Sequence, residues 1–192
     1  MTTPAIDADG FRVLPGRDGR GDERLLLDVE SADPVYVPRT ALPDDVAVGN
    51  RVSATVGWTD DDPTVDDVVV EEATTLAFVR TDEPVFQAAQ ACFEEARASG
   101  AAMNSRVTYS TDNEANGVVY TFADQPGSRD LFDEFREGLK PLEPLLARTA
   151  DADGVEPPFS VYVLEPPEPF TVVYIVLEPG GLLDETVRET YC

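Results

Sequence analysis

The stretch Arg51-Val52-Ser53-Ala54-Thr55-Val56-Gly57-Trp58 alternates apolar and polar side chains, which is the period-two signature of a strand with one buried face. Val52, Ala54, Val56 and Trp58 fall on one side and Arg51, Ser53 and Thr55 on the other. The sequence around it reads the same way. Phe11 to Leu14 predicts a short strand, and Pro15-Gly16-Arg17-Asp18-Gly19-Arg20-Gly21 a turn-rich loop. Glu23 to Glu30 predicts a second strand with Leu25, Leu27 and Val29 inward and Arg24 and Leu26 outward. After the Asp33-Pro34 turn, Val35-Tyr36-Val37 forms a third strand with Tyr36 facing out. Ala41 to Val46 offers a helical turn, and Val65 to Val79 supplies the last strand or two. Five short strands with the helical candidate between the third and fourth predict a small antiparallel β-barrel over residues 1–80. Its order is OB-like, with an SH3-like barrel or an open meander as the alternatives.

From residue 81 onward the period changes. Val85, Phe86, Ala89, Cys92, Phe93 and Ala96 recur at helical spacing, and Ser99-Gly100 ends the helix. Arg106 to Ser110 and Val118 to Phe122 make a strand pair around a turn ending at Asn116-Gly117. Tyr109 and Tyr120 share its core face. Ser128 is the expected N-cap of a helix carrying Leu131, Phe132, Phe135 and Leu139, which Pro141 ends or kinks before a short helix through Leu145-Leu146. Phe159 to Leu164 and Phe170 to Leu177 form a second strand pair around Glu165-Pro166-Pro167-Glu168-Pro169, and Gly180-Gly181 precedes a last helix. Residues 81–192 thus read as an α-β-β-α-β-β-α domain, an antiparallel four-stranded sheet with helices on one face, and the whole chain as α+β. Phe170 to Leu177 is apolar on both faces, which places it under cover at the centre of that sheet or at a subunit interface.

Composition speaks to the solvent more than to the chemistry. Thirteen of fourteen basic residues are Arg, Lys140 is the single Lys, and 38 acidic residues bring the formal charge to −24. Such self-repulsion is tolerable where salt screens it, since the Debye length falls to about 3 Å in molar salt. The start MTTPAIDADG lacks the basic and apolar regions of a signal peptide, and the longest apolar run is far too short to cross a bilayer. The expectation is a cytoplasmic protein with no membrane partner. The absence of His removes Ser-His, Cys-His and His-metal chemistry within one chain. Two cysteines, Cys92 and Cys192, make neither a disulfide framework nor a Cys-based zinc site. Cys92 lies on an apolar stripe and reads as a buried, inert thiol.

If the barrel is OB-like, its ligand surface is the outer face of the second and third strands with the loops joining strands one to two and four to five. That surface nominates Arg17, Arg20, Arg24, Tyr36 and Arg51 as ligand-binding residues. Glycines let backbone approach an anion, Arg forks onto phosphate, and Tyr stacks. The opposing loop carries Asp60, Asp61, Asp62, Asp66 and Asp67 and no base, which weighs against nucleic acid. Trp58, with its alternation partners inward, belongs to the core. Asp60-Asp61-Asp62-Pro63 and Asp112 to Gly117 fail the pattern of a calcium loop, and Asp151 to Glu156, which could loosely hold a hard cation, reads as an acidic linker, so neither metal nor cofactor is expected, and no catalytic residue is assigned.

The segment Val48-Gly49-Asn50-Arg51-Val52-Ser53-Ala54-Thr55-Val56-Gly57-Trp58-Thr59, the Arg-for-Lys bias and the barrel-plus-α+β layout resemble a haloarchaeal family of uncharacterised proteins grouped as a domain of unknown function. The resemblance covers most of the chain and implies a cytosolic protein of a salt-accumulating archaeon, without supplying site residues. The reading that follows is a non-enzymatic binding or adaptor module, its partner unknown, with a protein or a second copy of the chain in view. The alternatives are a small enzyme acting through carboxylates and Arg on a phosphorylated or nucleotide-like substrate, and an OB-like nucleic-acid-binding protein.

Overall fold

A computed structural model describes residues 6–192, with side chains assigned from residue 10 onward apart from residue 153; part of the leader reading, residues 1–5, lies outside them. The chain divides into two compact units, Met1–Thr75 with Glu134–Glu143, and Leu76–Asp133 with Pro144–Cys192. Each unit is built around one five-stranded sheet.

The first unit holds β1 (Ile6–Pro15), β2 (Glu23–Asp28), β3 (Pro34–Pro38), β4 (Arg51–Thr59) and β5 (Asp62–Glu72), in the order β3-β2-β1-β4-β5. Three hairpin-connected strands with the fourth returning beside the first make a Greek key. The expected barrel does not close, because no ladder joins β5 to β3 among the described residues. β3 is five residues long and begins and ends in proline, which supplies no N–H to a ladder, and β5 is interrupted by register shifts against β4. The helical turn expected at Ala41 to Val46 is a short 3₁₀ turn at Arg39–Ala41.

One face of this sheet carries the predicted core. Val52, Ala54 and Val56 are buried with Phe11, Val13, Val35 and Val37, and Trp58 packs against them. Leu26 belongs to this cluster and is fully buried, so the assignment of faces in β2 is reversed. Leu26 points inward, and Leu25 and Leu27 point the other way. They are buried there as well, because residues 134–143 lie over them. A Cβ at Gly138 would stand 3.1 Å from Leu27 Cδ1 and 3.2 Å from Leu25 Cδ2. Three consecutive leucines carry no alternation, so the local pattern could not fix the face. On this covered side Arg12, 4% exposed, forks onto Glu143 at 2.6 and 2.9 Å and meets Glu72 at 2.9 Å.

The second unit adds β6 (Thr75–Arg80), α1 (Gln87–Ser99), β7 (Met103–Tyr109), β8 (Ala115–Ala123), α2 (Leu131–Arg136), α3 (Glu143–Asp153), β9 (Ser160–Glu165), β10 (Phe170–Val176) and α4 (Leu182–Tyr191); the helices α2 and α3 run across the boundaries of the inserted segment. Its sheet has five strands, not four, ordered β6-β9-β10-β8-β7. The fifth is β6, which the sequence reading assigned to the barrel. Every residue of the central β10 is buried, as its two apolar faces require. Ala89 of α1 and Val187 of α4 pack on the face that carries Val172, Tyr174 and Val176. On the opposite face Tyr120, the register partner of Val173, bonds Thr149 of α3 at 3.3 Å. Helices therefore cover both faces rather than one. Gly100 ends α1 in the left-handed conformation, φ 73°, as its sequence position predicts. Asp130, not Ser128, caps α2 by accepting from Phe132 N–H at 2.9 Å. The β7–β8 turn lies at residues 110–114, closed by Ser110 N–H to Glu114 O at 2.8 Å. Tyr120 is core, but Tyr109 is 59% exposed, because a register shift at the end of β7 turns it out.

Candidate functional site

The loop from β1 to β2 is folded by its own backbone. Arg20 N–H bonds Arg17 O at 2.9 Å and Glu23 N–H bonds Arg20 O at 3.1 Å, two successive turns that bring both arginines to the same side as Glu23. Gly16 is in tight contact, since a Cβ there would fall 2.6 Å from Glu23 O. These turns open onto a cleft of about 630 Å³, within the range of small-ligand sites. Arg17, Arg20, Asp22 and Glu23 from the loop and the start of β2, Tyr36, Val37 and Pro38 of β3, and Asp62 and Pro63 at the start of β5 line it.

Within it the Arg17 guanidinium meets both carboxylate oxygens of Glu23, Nε to Oε1 at 2.8 Å and Nη2 to Oε2 at 2.6 Å. The Arg17 backbone N–H donates to Oε1 at 3.2 Å, and Arg20 Nη1 lies 3.6 Å from Oε2. The same guanidinium stacks on Tyr36, its Cζ 4.6 Å from the ring centroid. Arg17's hydrogen bonds, more than any other influence, hold the Glu23 carboxyl down at about 2, and those bonds raise Arg17 in turn. Glu23 is 12% exposed and Arg17 51%, so this is a sheltered carboxylate under an accessible cation. The lining holds two arginines and three carboxylates, one of which, Glu23, is paired with Arg17.

Of the five nominated residues, Arg17, Arg20 and Tyr36 line this cleft. Arg24 does not. It shares its face of β2 with Leu26, and its Nη1 donates to Gly21 O at 3.0 Å and Glu23 O at 2.7 Å, pinning the loop. Arg51 pairs in register with Arg12, and its guanidinium rests on Gly10, where a Cβ would meet Nε at 2.7 Å. The outer face of β2 that an OB-type ligand would use is taken up by residues 134–143. Sequence reasoning missed Glu23, Pro38, Asp62 and Pro63. The acidic run before Pro63 reads as a charge that disfavours nucleic acid and as a failed calcium loop, and nothing in the spacing of Arg17 and Glu23 announces a pair.

The second unit carries a buried polar cluster of another kind. Asp184, 1% exposed, accepts from Ser160 Oγ at 2.9 Å, from Gly180 N–H at 2.7 Å and from the Tyr162 hydroxyl, with Arg188 at 3.5 Å. Burial alone would raise its pKa, but the Gly180, Tyr162 and Ser160 bonds and the Arg188 charge bring it below the ordinary value. Burial and the hydrogen bond to Asp184 push Tyr162 up to about 12. A carboxylate with this many donors and no opening to solvent anchors the start of α4. Cys92 is fully buried, its thiol raised by burial. Among the described residues no group of three or more His, Cys, Asp or Glu side chains is disposed to hold a metal ion, and no helix is long and apolar enough to cross a membrane.

Comparison with curated proteins and with solved structures returned no match. A family model does match, and it spans residues 4–192, so the two sheets and the cleft fall within a single family unit. The chain belongs to the family of unknown function DUF6663.

Proposed function

We propose that this protein is a non-enzymatic binding or adaptor module of a salt-accumulating haloarchaeal cytoplasm, and that the cleft between the β1–β2 loop, β3 and the start of β5 receives a segment of a protein partner. The observation that carries this reading is the cleft's lining. Arg17 and Arg20 of the β1–β2 loop and Tyr36 of β3 line the cleft with the apolar Val37, Pro38 and Pro63 and with Asp22, Glu23 and Asp62. A phosphate-rich strand would meet three carboxylates against two arginines there and gain little attraction. A peptide buries apolar side chains against Tyr36, Pro38 and Pro63 and matches charges of both signs. The OB-like aspect of the reading rests on the Greek-key order and on the cleft's place beside the loops such folds use. The halophilic aspect rests on the 38 acidic residues and the nearly complete preference for Arg over Lys.

The test is a thermal-shift screen in roughly molar KCl, where surface charge is screened, with nucleotides, oligonucleotides, phosphorylated metabolites and a blocked-peptide set. Peptides that stabilise the wild type and lose that effect when Arg17, Arg20 and Tyr36 are changed together support the module. Stabilisation by a phosphorylated metabolite, lost in the same variant, would move the reading to an enzyme of nucleotide-like substrates.

A further inference from the structure

Resting on the cleft as a ligand site, we infer that Glu23 is a resident pseudo-ligand, occupying a seat built for a carboxylate that the incoming partner segment presents. The seat has the parts such a site needs. A planar guanidinium fork meets two oxygens at 2.8 and 2.6 Å, the geometry that matches a carboxylate in shape as well as charge. A backbone N–H adds a third donor at 3.2 Å and Arg20 a second cation at 3.6 Å. The fork is oriented from beneath by the Tyr36 ring, 4.6 Å from Arg17 Cζ, so its direction does not depend on Glu23 alone. Arg17 itself is half exposed, which leaves its outer edge open to the cleft.

The position of Glu23 supports a competitive role. It is the first residue of β2, in register with Pro38 of β3, and its own N–H bonds Arg20 O, while its side chain reaches back to the loop. Release of that side chain would not disturb the sheet. A phosphate dianion fits the seat less well, because it brings more negative charge close to Asp22 and Asp62 than a carboxylate does. The partner group is therefore a planar carboxylate, from an acidic side chain or a chain terminus.

The experiment uses the full chain in roughly molar KCl as wild type, Glu23→Ala, Glu23→Gln and Glu23→Ala with Arg17→Ala. The probes are propionate, propionamide, inorganic phosphate, a blocked tripeptide with a central glutamate, the same tripeptide with glutamine, and a tripeptide ending in a free carboxylate. Propionate replaces the carboxylate removed from Glu23→Ala. It should raise that variant's thermal midpoint saturably and shift the Arg17 Nε–H resonance, with no effect from propionamide or phosphate and none in the double variant. The glutamate tripeptide or the free-terminus tripeptide should bind Glu23→Ala and Glu23→Gln at least about tenfold more tightly than wild type, the cost of competing with a tethered group; which of the two binds identifies the source of the carboxylate. Equal affinity for wild type and both Glu23 variants, with no propionate rescue, overturns the inference. If peptides then still bind and lose binding in Tyr36→Ala, the cleft reading survives without the pseudo-ligand. If no probe binds any variant, both fall.

Discussion

Among the described residues Arg12 and Asp184 are the only buried charged side chains, one in each unit, and each is held by several partners. Removing one member of such a group strands the others. Arg12→Met should therefore destabilise the protein by about 3 kcal/mol in denaturant unfolding, with Arg12→Lys intermediate because it keeps the charge and loses the fork. Asp184→Ala leaves Ser160, Tyr162 and Gly180 N–H without their acceptor and should cost about as much, ~3 kcal/mol, whereas Tyr162→Phe removes one donor and should cost about 1–2 kcal/mol. The pH dependence has a definite sign. Tyr162 holds its proton to about 12, against an ordinary 10.0, so its contribution is complete below pH 10 and is lost as the pH rises through 12. Alkaline unfolding should therefore begin earlier in Tyr162-containing protein than neutral-pH stability alone predicts, and that excess sensitivity should vanish in Tyr162→Phe. Glu23 works in the opposite direction. With its carboxyl near 2, the pair with Arg17 is fully formed above the ordinary carboxylate range and is lost as pH falls through 2, which a side-chain NMR titration of Glu23 measures directly.

At the scale of elements, alternation located β4 and its buried face and helical spacing located α1 with its glycine stop, while α2 stops at Arg136, short of the expected Leu139 and Pro141, at the left-handed Gly138. The first two are local signals, each fixed by the periodicity of one element. What else was not legible depended on distant sequence. β2 has Leu25, Leu26 and Leu27 in succession and is buried on both faces, so its orientation is decided by β1, β3 and residues 134–143, not by its own pattern. β6 reads as a continuation of the first set of strands because only its pairing with β9 assigns it elsewhere. The candidate cleft was half legible for the same reason. Loop composition and strand parity brought out Arg17, Arg20 and Tyr36, but parity misplaced Arg24, and the Glu23 pair arises only once two successive turns have folded. Gly138 tests the covering segment. It combines φ 74° with methyl groups 3.1–3.2 Å from where a Cβ would lie, so Gly138→Ala should cost about 1–3 kcal/mol through left-handed strain and overpacking against Leu25 and Leu27. An unchanged unfolding midpoint would mean that the segment is not packed as described.

For the molecule as a whole, acidity and burial are separated almost completely. Of 38 acidic residues, the described structure buries Asp184 alone, and the rest leave a surface with strong self-repulsion in dilute solution. Thermal unfolding in about 2 M KCl should lie some 10 °C above that in about 0.1 M, equivalent to ~3 kcal/mol for a chain of this size. Sodium sulfate at matched ionic strength separates screening from other salt effects, since simple screening predicts equal shifts. Strand content and the α+β class were legible at this scale, and so was the presence of a fold with two sheets. The division of the chain was less so, because the first unit draws residues 134–143 from beyond β8.

That borrowed segment sets a timetable for synthesis. A nascent chain emerges from its amino end at about 5–20 residues per second, so β1 to β5 leave the ribosome well before Gly138, Leu142 and Glu143 are made. Until then Leu25 and Leu27 have no cover and Arg12 lacks Glu143. The first sheet must wait, with an oily stripe open to its neighbours, for a part of the chain encoded after most of the second sheet has begun to appear. Ribosome pausing between codons 80 and 143 would prolong that exposed interval, and a holding chaperone would be most useful there.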